Sequence, residues 1–188
     1  KKLHTGATSQ LSTTLNAITG TGALTIVKDP SEVGLSTVNI YGTGNASFSG
    51  TTLITSGRLA VYENSGLGSS AVTLDGGILA IANGSSRTLS NSITLNGGSL
   101  GGQNANHTWS GTITVNNTGS TVIAGDALTA ATTNRTVTLS GVIEGSGALG
   151  ITNADSDAGS TVLFSNNAGT ATYSGTFTCS GNANIQVR

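Results

Sequence analysis

The chain has 188 residues, 8% charged and 36% hydrophobic, with a formal net charge of −1, 28 glycines, one proline and one cysteine. Without a basic cluster it lacks the electrostatic footprint of a nucleic-acid binder or of a protein that docks on anionic membranes. A lone cysteine excludes an intramolecular disulfide framework, and no apolar run approaches the roughly 18 residues of a membrane span.

Low charge with abundant Val, Ile and Thr argues against disorder and for short strands joined by Gly and Asn turns. The start shows no signal-peptide pattern, so the expectation is a mature product or an excised segment. A single domain over residues 1–188 is expected.

In chain order, residues 1–17 are dominated by Thr and Ser, poor helix formers, and read as a cap or a first strand. ITGTGALTIV (18–27) opens a clear unit with Ala23, Leu24 and Ile26 as core candidates. KDPSEVG (28–34) holds the only proline and reads as a surface loop. STVNIYG (36–42) is the next strand, and ASFSGTTLITSGRLAVY (46–62) supplies two more around Ser56-Gly57.

AVTLDGGILAI (71–81) is then answered by SITLNGGSLGG (92–102) at a constant offset of 21 (93 − 72, and 100 − 79). These are two tandem rungs, residues 71–102, each turning on an Asx-Gly-Gly corner at Gly76-Gly77 and Gly97-Gly98, where positive φ is needed. Trp109-Ser110-Gly111-Thr112 follows and copies Phe48-Ser49-Gly50-Thr51.

The first unit, residues 18–62, returns over 143–187. Gly20, Gly22, Leu24, Phe48 and Gly50 correspond to Gly145, Gly147, Leu149, Tyr173 and Gly175, an offset of 125 (145 − 20, and 175 − 50). The aromatics Phe48, Trp109 and Tyr173 are expected to pack at one stacked position. Repetition at roughly 20 to 25 residues without a helical period is the signature of a solenoid. The expectation is an all-β parallel β-solenoid of roughly eight or nine coils, with apolar residues inward and Thr, Ser and Asn outward.

The pattern GTGALTI…FSGTTLITSGRLAV, repeated as GSGALGI…YSGTFTCSGNANIQV, resembles the passenger-associated transport repeat of bacterial autotransporter proteins. The resemblance covers about half the chain. It implies a right-handed parallel β-helix on a secreted or surface-exposed protein. It is not specific for activity, since such passengers include adhesins, self-associating proteins and proteases. The usual Lys-x-Gly-x-Gly segment is replaced here by the loops 28–34 and 153–159.

Candidate sites are few. Asn153, Asp155 and Asp157 alternate in NADSDAG, an oxygen set that a Ca²⁺ ion can use, although a solvated Asx-rich turn explains them as well. No other cofactor is expected. His4 and His107 are the only histidines, too scattered for a metal site. Trp109 is a packing residue or a sugar-stacking shelf. Asp75, Asp126 and Glu144 stand apart, without the clustered carboxylates of a polysaccharide-active enzyme. Cys179 aligns with Ile54 and is expected as a buried thiol. Five Asn-x-Ser/Thr sequons follow from composition alone.

The function expected is therefore a non-enzymatic structural protein, secreted, on the cell surface or in an extracellular fibre. Its partner is expected to be itself, head to tail through the solenoid ends, or a neighbouring surface component. Neither nucleic acid nor membrane insertion is expected. The competing reading is an adhesin segment acting through the loops 28–34, 64–70 and 153–159. A polysaccharide-active β-helix enzyme is the remote third reading.

Overall fold

A computed structural model describes residues 2–5, 12–28, 34, 36–117, 119–126, 134–153, 159–165 and 172–188. In chain order its strands are β1 (Lys2–Thr5), β2 (Ser12–Leu15), β3 (Leu24–Lys28), β4 (Thr37–Ile40), β5 (Thr51–Ile54), β6 (Arg58–Val61), β7 (Ala71–Leu74), β8 (Ile78–Ala82), β9 (Thr88–Leu89) and β10 (Ile93–Leu95). They continue with β11 (Gly98–Gln103), β12 (His107–Trp109), β13 (Ile113–Val115), β14 (Ser120–Asp126), β15 (Thr136–Leu139), β16 (Ile143–Gly145), β17 (Leu149–Asn153), β18 (Thr161–Phe164), β19 (Phe177–Ser180) and β20 (Asn184–Val187). The helical content among the described residues is one 3₁₀ turn, Thr43–Ser47.

All strand pairing is parallel, in three sheets. The first runs β1-β3-β5-β7-β10-β13-β16, the second β2-β4-β6-β8-β11-β14-β17-β19, and the third β9-β12-β15-β18-β20. From β1 to β8 the chain alternates between the first and second sheets, and from β9 to β18 it visits the third, first and second in turn, advancing one strand at each visit. That arrangement is compatible with a solenoid.

Alternation along each strand decides which side chains turn inward. In the first sheet, Ile26, Ile54, Leu74, Leu95 and Val115 are paired in succession and buried. In the second, Val38, Leu59, Leu79, Leu100, Val122 and Ile151 do the same. In the third, Leu89, Trp109, Leu139 and Phe164 form the equivalent column. The inward side chains of all three sheets meet in one hydrophobic core. Ahead of β9 that core is completed by Phe48 and Leu67, both buried, with the Ser69 N–H donating to the Phe48 carbonyl at 2.9 Å.

The repeat of 21 residues is the strand register itself. Val72 pairs with Ile93, Leu74 with Leu95 and Leu79 with Leu100. Its Asx-Gly-Gly corners need glycine because Gly76, Gly77, Gly97 and Gly98 have φ of 147°, 67°, 135° and 82°.

The duplicated units also pair alike, through parallel bridges of Gly20 with Phe48 and Gly145 with Tyr173. Yet they occupy different sheets. Leu24 lies in β3 of the first sheet, whereas its counterpart Leu149 lies in β17 of the second. The 125-residue offset therefore carries the motif five strands along the first sheet, from β3 to β16, and one sheet onward. Ala23, expected in the core, is exposed, because the alternation that buries Leu24 and Ile26 turns it outward.

Candidate functional site

The aromatic-Ser-Gly motif is a corner device. At Ser110-Gly111 and Ser140-Gly141, the serine N–H donates to the carbonyl of the preceding strand's Leu89 or Trp109, at 2.8 and 2.9 Å. The following glycine presses on the corner beneath. A Cβ on Gly141 would lie 1.9 Å from the Gly111 carbonyl oxygen, and one on Gly111 would lie 2.0 Å from that of Asn91. The duplicated units repeat this contact, Gly50 against the Gly22 carbonyl at 1.9 Å and Gly175 against that of Gly147 at 2.0 Å. Only a residue without a side chain admits such an approach.

The motif does not make one aromatic column. Trp109 sits between Leu89 and Leu139 in the third sheet, whereas Tyr173 continues the first sheet beside Gly145. A corner motif can occur at any corner, so equal sequence does not mean equal sheet. Trp109 is fully buried, which removes it as a sugar-stacking shelf. The Tyr173 hydroxyl donates to the Gly147 carbonyl at 2.7 Å, and burial raises its pKa.

The C-terminal face of the molecule gathers three large exposed hydrophobic side chains, Phe177, Ile185 and Val187. Among the described residues, β19 pairs with β17, and β20 with β18, on one side only. Side chains at inward register positions therefore look outward along the stack. Val162 is buried, but Ile185, in register with it, is 40% exposed. Val187, in register with Phe164, is 79% exposed, and Phe177 is 47% exposed. Phe177 packs against Tyr173 and Phe164, with ring centroids 4.8 and 5.1 Å apart. Together with Ile143 they line an open apolar hollow of about 350 Å³.

Cys179 belongs to this face. The alignment with Ile54 predicted a buried thiol, but Cys179 is exposed. Its position is inward, in register with the buried Ile151, and no further strand lies over it among the described residues. Its Sγ lies 3.5 Å from the Ala183 carbonyl.

Asn153 ends β17, while Asp155 and Asp157, and with them the Ca²⁺ set, lie outside the described residues. So do residues 29–33 of the first loop and 154–158 of the last. Among the described residues, no three His, Cys, Asp or Glu side chains assemble a metal site. The segment 64–70 is packed down rather than displayed. Leu67 and Ser70 are buried, and Asn64 accepts from the Thr88 N–H at 3.0 Å. Of the scattered acids, Asp75, at the corner after β7, accepts from Asn96 at 2.8 Å, and Glu144, in β16, accepts from Thr114 at 2.8 Å.

Two polar features were not visible as sites in the sequence. Tyr41 and Tyr62 stack at 3.9 Å on the outside, beyond the ends of β4 and β6. Burial, aided by the hydrogen bond with the Tyr41 hydroxyl, pushes the Tyr62 pKa up to about 12. Beside them, the Arg87 guanidinium pairs with Glu63 at 3.4 Å and donates to the Tyr62 carbonyl at 3.2 Å. The second feature is His107, which faces the core from β12. The register that pairs Tyr41's strand with Tyr62's, and the one that places His107 opposite Val137, would have been the signals for both.

With this geometry in hand, comparison with known proteins finds no matching family, no matching curated protein and no matching solved structure. Among the described residues, no helix is long and apolar enough to cross a membrane.

Proposed function

We propose that the chain is a non-enzymatic structural β-solenoid of the secreted or cell-surface kind, joined end to end with further copies of itself. The reading takes the three sheets as faces of a right-handed parallel β-helix of roughly eight or nine coils. The recurring third-first-second order from β9 to β18 supports the winding, and the handedness rests on the rule that parallel crossovers are right-handed in about 98% of cases. Resemblance of the duplicated units to autotransporter passenger repeats supports the surface assignment.

The observation that carries self-association is the C-terminal face, where among the described residues β19 and β20 leave one hydrogen-bonding edge each and expose Phe177, Ile185 and Val187. Such an edge is a template for another strand, and a heterologous contact of this kind builds open filaments. Sedimentation and electron microscopy over a concentration series test it. The expected result is a mass that rises with concentration, linear assemblies, and their loss in Ile185→Lys. A monodisperse monomer at high concentration defeats the reading.

The adhesin reading is favoured by one feature, the exposed Tyr41 ring on a lateral face. Retained surface binding in a monomeric Ile185→Lys chain, lost in Tyr41→Ala, would select it.

A further inference from the structure

We propose that Asn83 is a site of spontaneous covalent modification, its side-chain amide converting to a carboxylate through a cyclic imide closed by the backbone nitrogen of Gly84. Asn83 follows β8, four strands from β19 in the second sheet, so the reaction does not depend on how copies join.

Two asparagines of the chain precede a glycine, Asn83 and Asn96. Glycine carries no Cβ, so its N–H is unshielded and the backbone can turn toward the preceding side chain. The glycine nitrogen, having lost its proton, attacks the asparagine Cγ. A C–N bond forms, the bond from Cγ to Nδ2 breaks, and ammonia leaves with a proton taken from water. Water then opens the imide at either carbonyl, giving aspartate or its β-linked isomer. The net change is amide plus water to carboxylic acid plus ammonia.

The structure separates the two sites. Asn96 lies at the corner between β10 and β11, held from both sides. Its Nδ2 donates to the Asp75 carboxylate at 2.8 Å, and its Oδ1 accepts from Asn116 Nδ2 at 3.1 Å. The Asp75 carboxylate opposes the negative charge that builds up as the ring closes. Gly98, next along the corner, is pressed on the one beneath, since a Cβ there would lie 2.6 Å from the Gly76 carbonyl oxygen.

Asn83 stands in the bend between β8 and β9. Gly84 is exposed, and a Cβ on it would meet nothing within 4 Å among the described residues. The Ser85 N–H donates to Asn83 Oδ1 at 3.0 Å, on the oxygen where charge develops in the tetrahedral intermediate. Asn83 Nδ2 donates to the neutral Tyr62 carbonyl at 2.7 Å. That carbonyl also accepts from Arg87 Nε at 3.2 Å, with Glu63 paired to the same guanidinium at 3.4 Å. A cation therefore shares the oxygen that holds Asn83, whereas an anion holds Asn96. The product removes one side-chain donor from the Tyr62 carbonyl and adds a negative charge to a chain of formal net charge −1.

Peptide mapping by mass spectrometry tests this on the full chain, incubated at mildly alkaline pH both folded and in urea. A methyltransferase specific for the β-linked isomer marks the product. In the folded chain Asn83 is expected to convert at least about tenfold faster than Asn96, the ratio set by a charge-assisted hydrogen bond that must break only at the latter. In urea both sites convert at similar rates, because the contacts that tell them apart are gone. Gly84→Ala, which meets no neighbour, keeps the fold and slows conversion several-fold by shielding the attacking nitrogen. Equal rates at the two sites of the folded chain overturn the proposal, as does a folded chain whose Asn83 stays intact while the unfolded chain converts. A preference that persists unchanged in urea, or a rate unaffected in G84A, overturns it too.

Discussion

Replacing Trp109 separates two terms that normally travel together. The indole is fully buried between Leu89 and Leu139, and its Nε1–H has no hydrogen-bond partner among the described residues. Trp109→Ala removes the side chain and leaves a cavity, for which large-to-small substitutions cost about 3–5 kcal/mol. In a domain of this size each kcal/mol shifts Tm by roughly 2–4 °C, so the expected loss is about 6–20 °C. Trp109→Phe behaves differently. It loses part of the packing, at a cost of about 1–2 kcal/mol, but also removes a buried donor that costs about 1–3 kcal/mol to leave unbonded. The two nearly cancel, so W109F should lie within about 1 kcal/mol of wild type. Urea denaturation followed by far-UV circular dichroism measures both, since the only tryptophan is lost. A W109F chain as unstable as W109A would mean that the indole N–H is bonded. A W109A cost below about 1 kcal/mol would mean that the third sheet does not close over a packed column.

Other outcomes are equally direct. Gly141→Ala should cost about 1–3 kcal/mol by overpacking, because its Cβ would sit 1.9 Å from the Gly111 carbonyl oxygen, while Gly84→Ala, with nothing within 4 Å, should be close to neutral in the same denaturation assay. Tyr62, pushed to about 12, is expected to stabilise the fold below pH 10 and lose that contribution as pH rises through 10–12, since the unfolded tyrosine ionises first. Wild type should therefore lose more stability than Tyr62→Phe across that window, and identical alkaline profiles would contradict the Tyr41–Tyr62 bond. Cys179, exposed on the C-terminal face, should react with a thiol reagent without denaturant. Its labelling should slow as concentration rises, and a concentration-independent rate would speak against burial of that face between copies.

Much of the fold could be read from the chain because parallel strands repeat their chemistry at the register. The 21-residue offset from Val72 to Ile93 is a pairing distance, and the glycines of DGG and NGG sit where the backbone takes positive φ. Of the core candidates Ala23, Leu24 and Ile26, the two at alternate positions are buried and Ala23 is not. These are local properties of a strand and its corner, so each short stretch reports them by itself.

Which sheet a stretch joins is another matter, because it depends on how many residues each intervening corner consumes. The duplicated units match in residues but lie one sheet apart, so Tyr173 and Trp109, alike in motif, never share a column. Burial is also non-local, since it needs a neighbour on both sides. Cys179 aligns with the buried Ile54, yet of the two only Ile54 has a strand on either flank among the described residues. In the sequence His107 is one of two scattered histidines, and only the fold brings its two nitrogens to Arg87 and Gln103. The sequence by itself determined a parallel, corner-and-strand architecture, because period and pattern are written residue by residue. Tertiary structure alone decided which equivalent positions became core, open face or buried titratable group, because those fates depend on the strand lying next to each one.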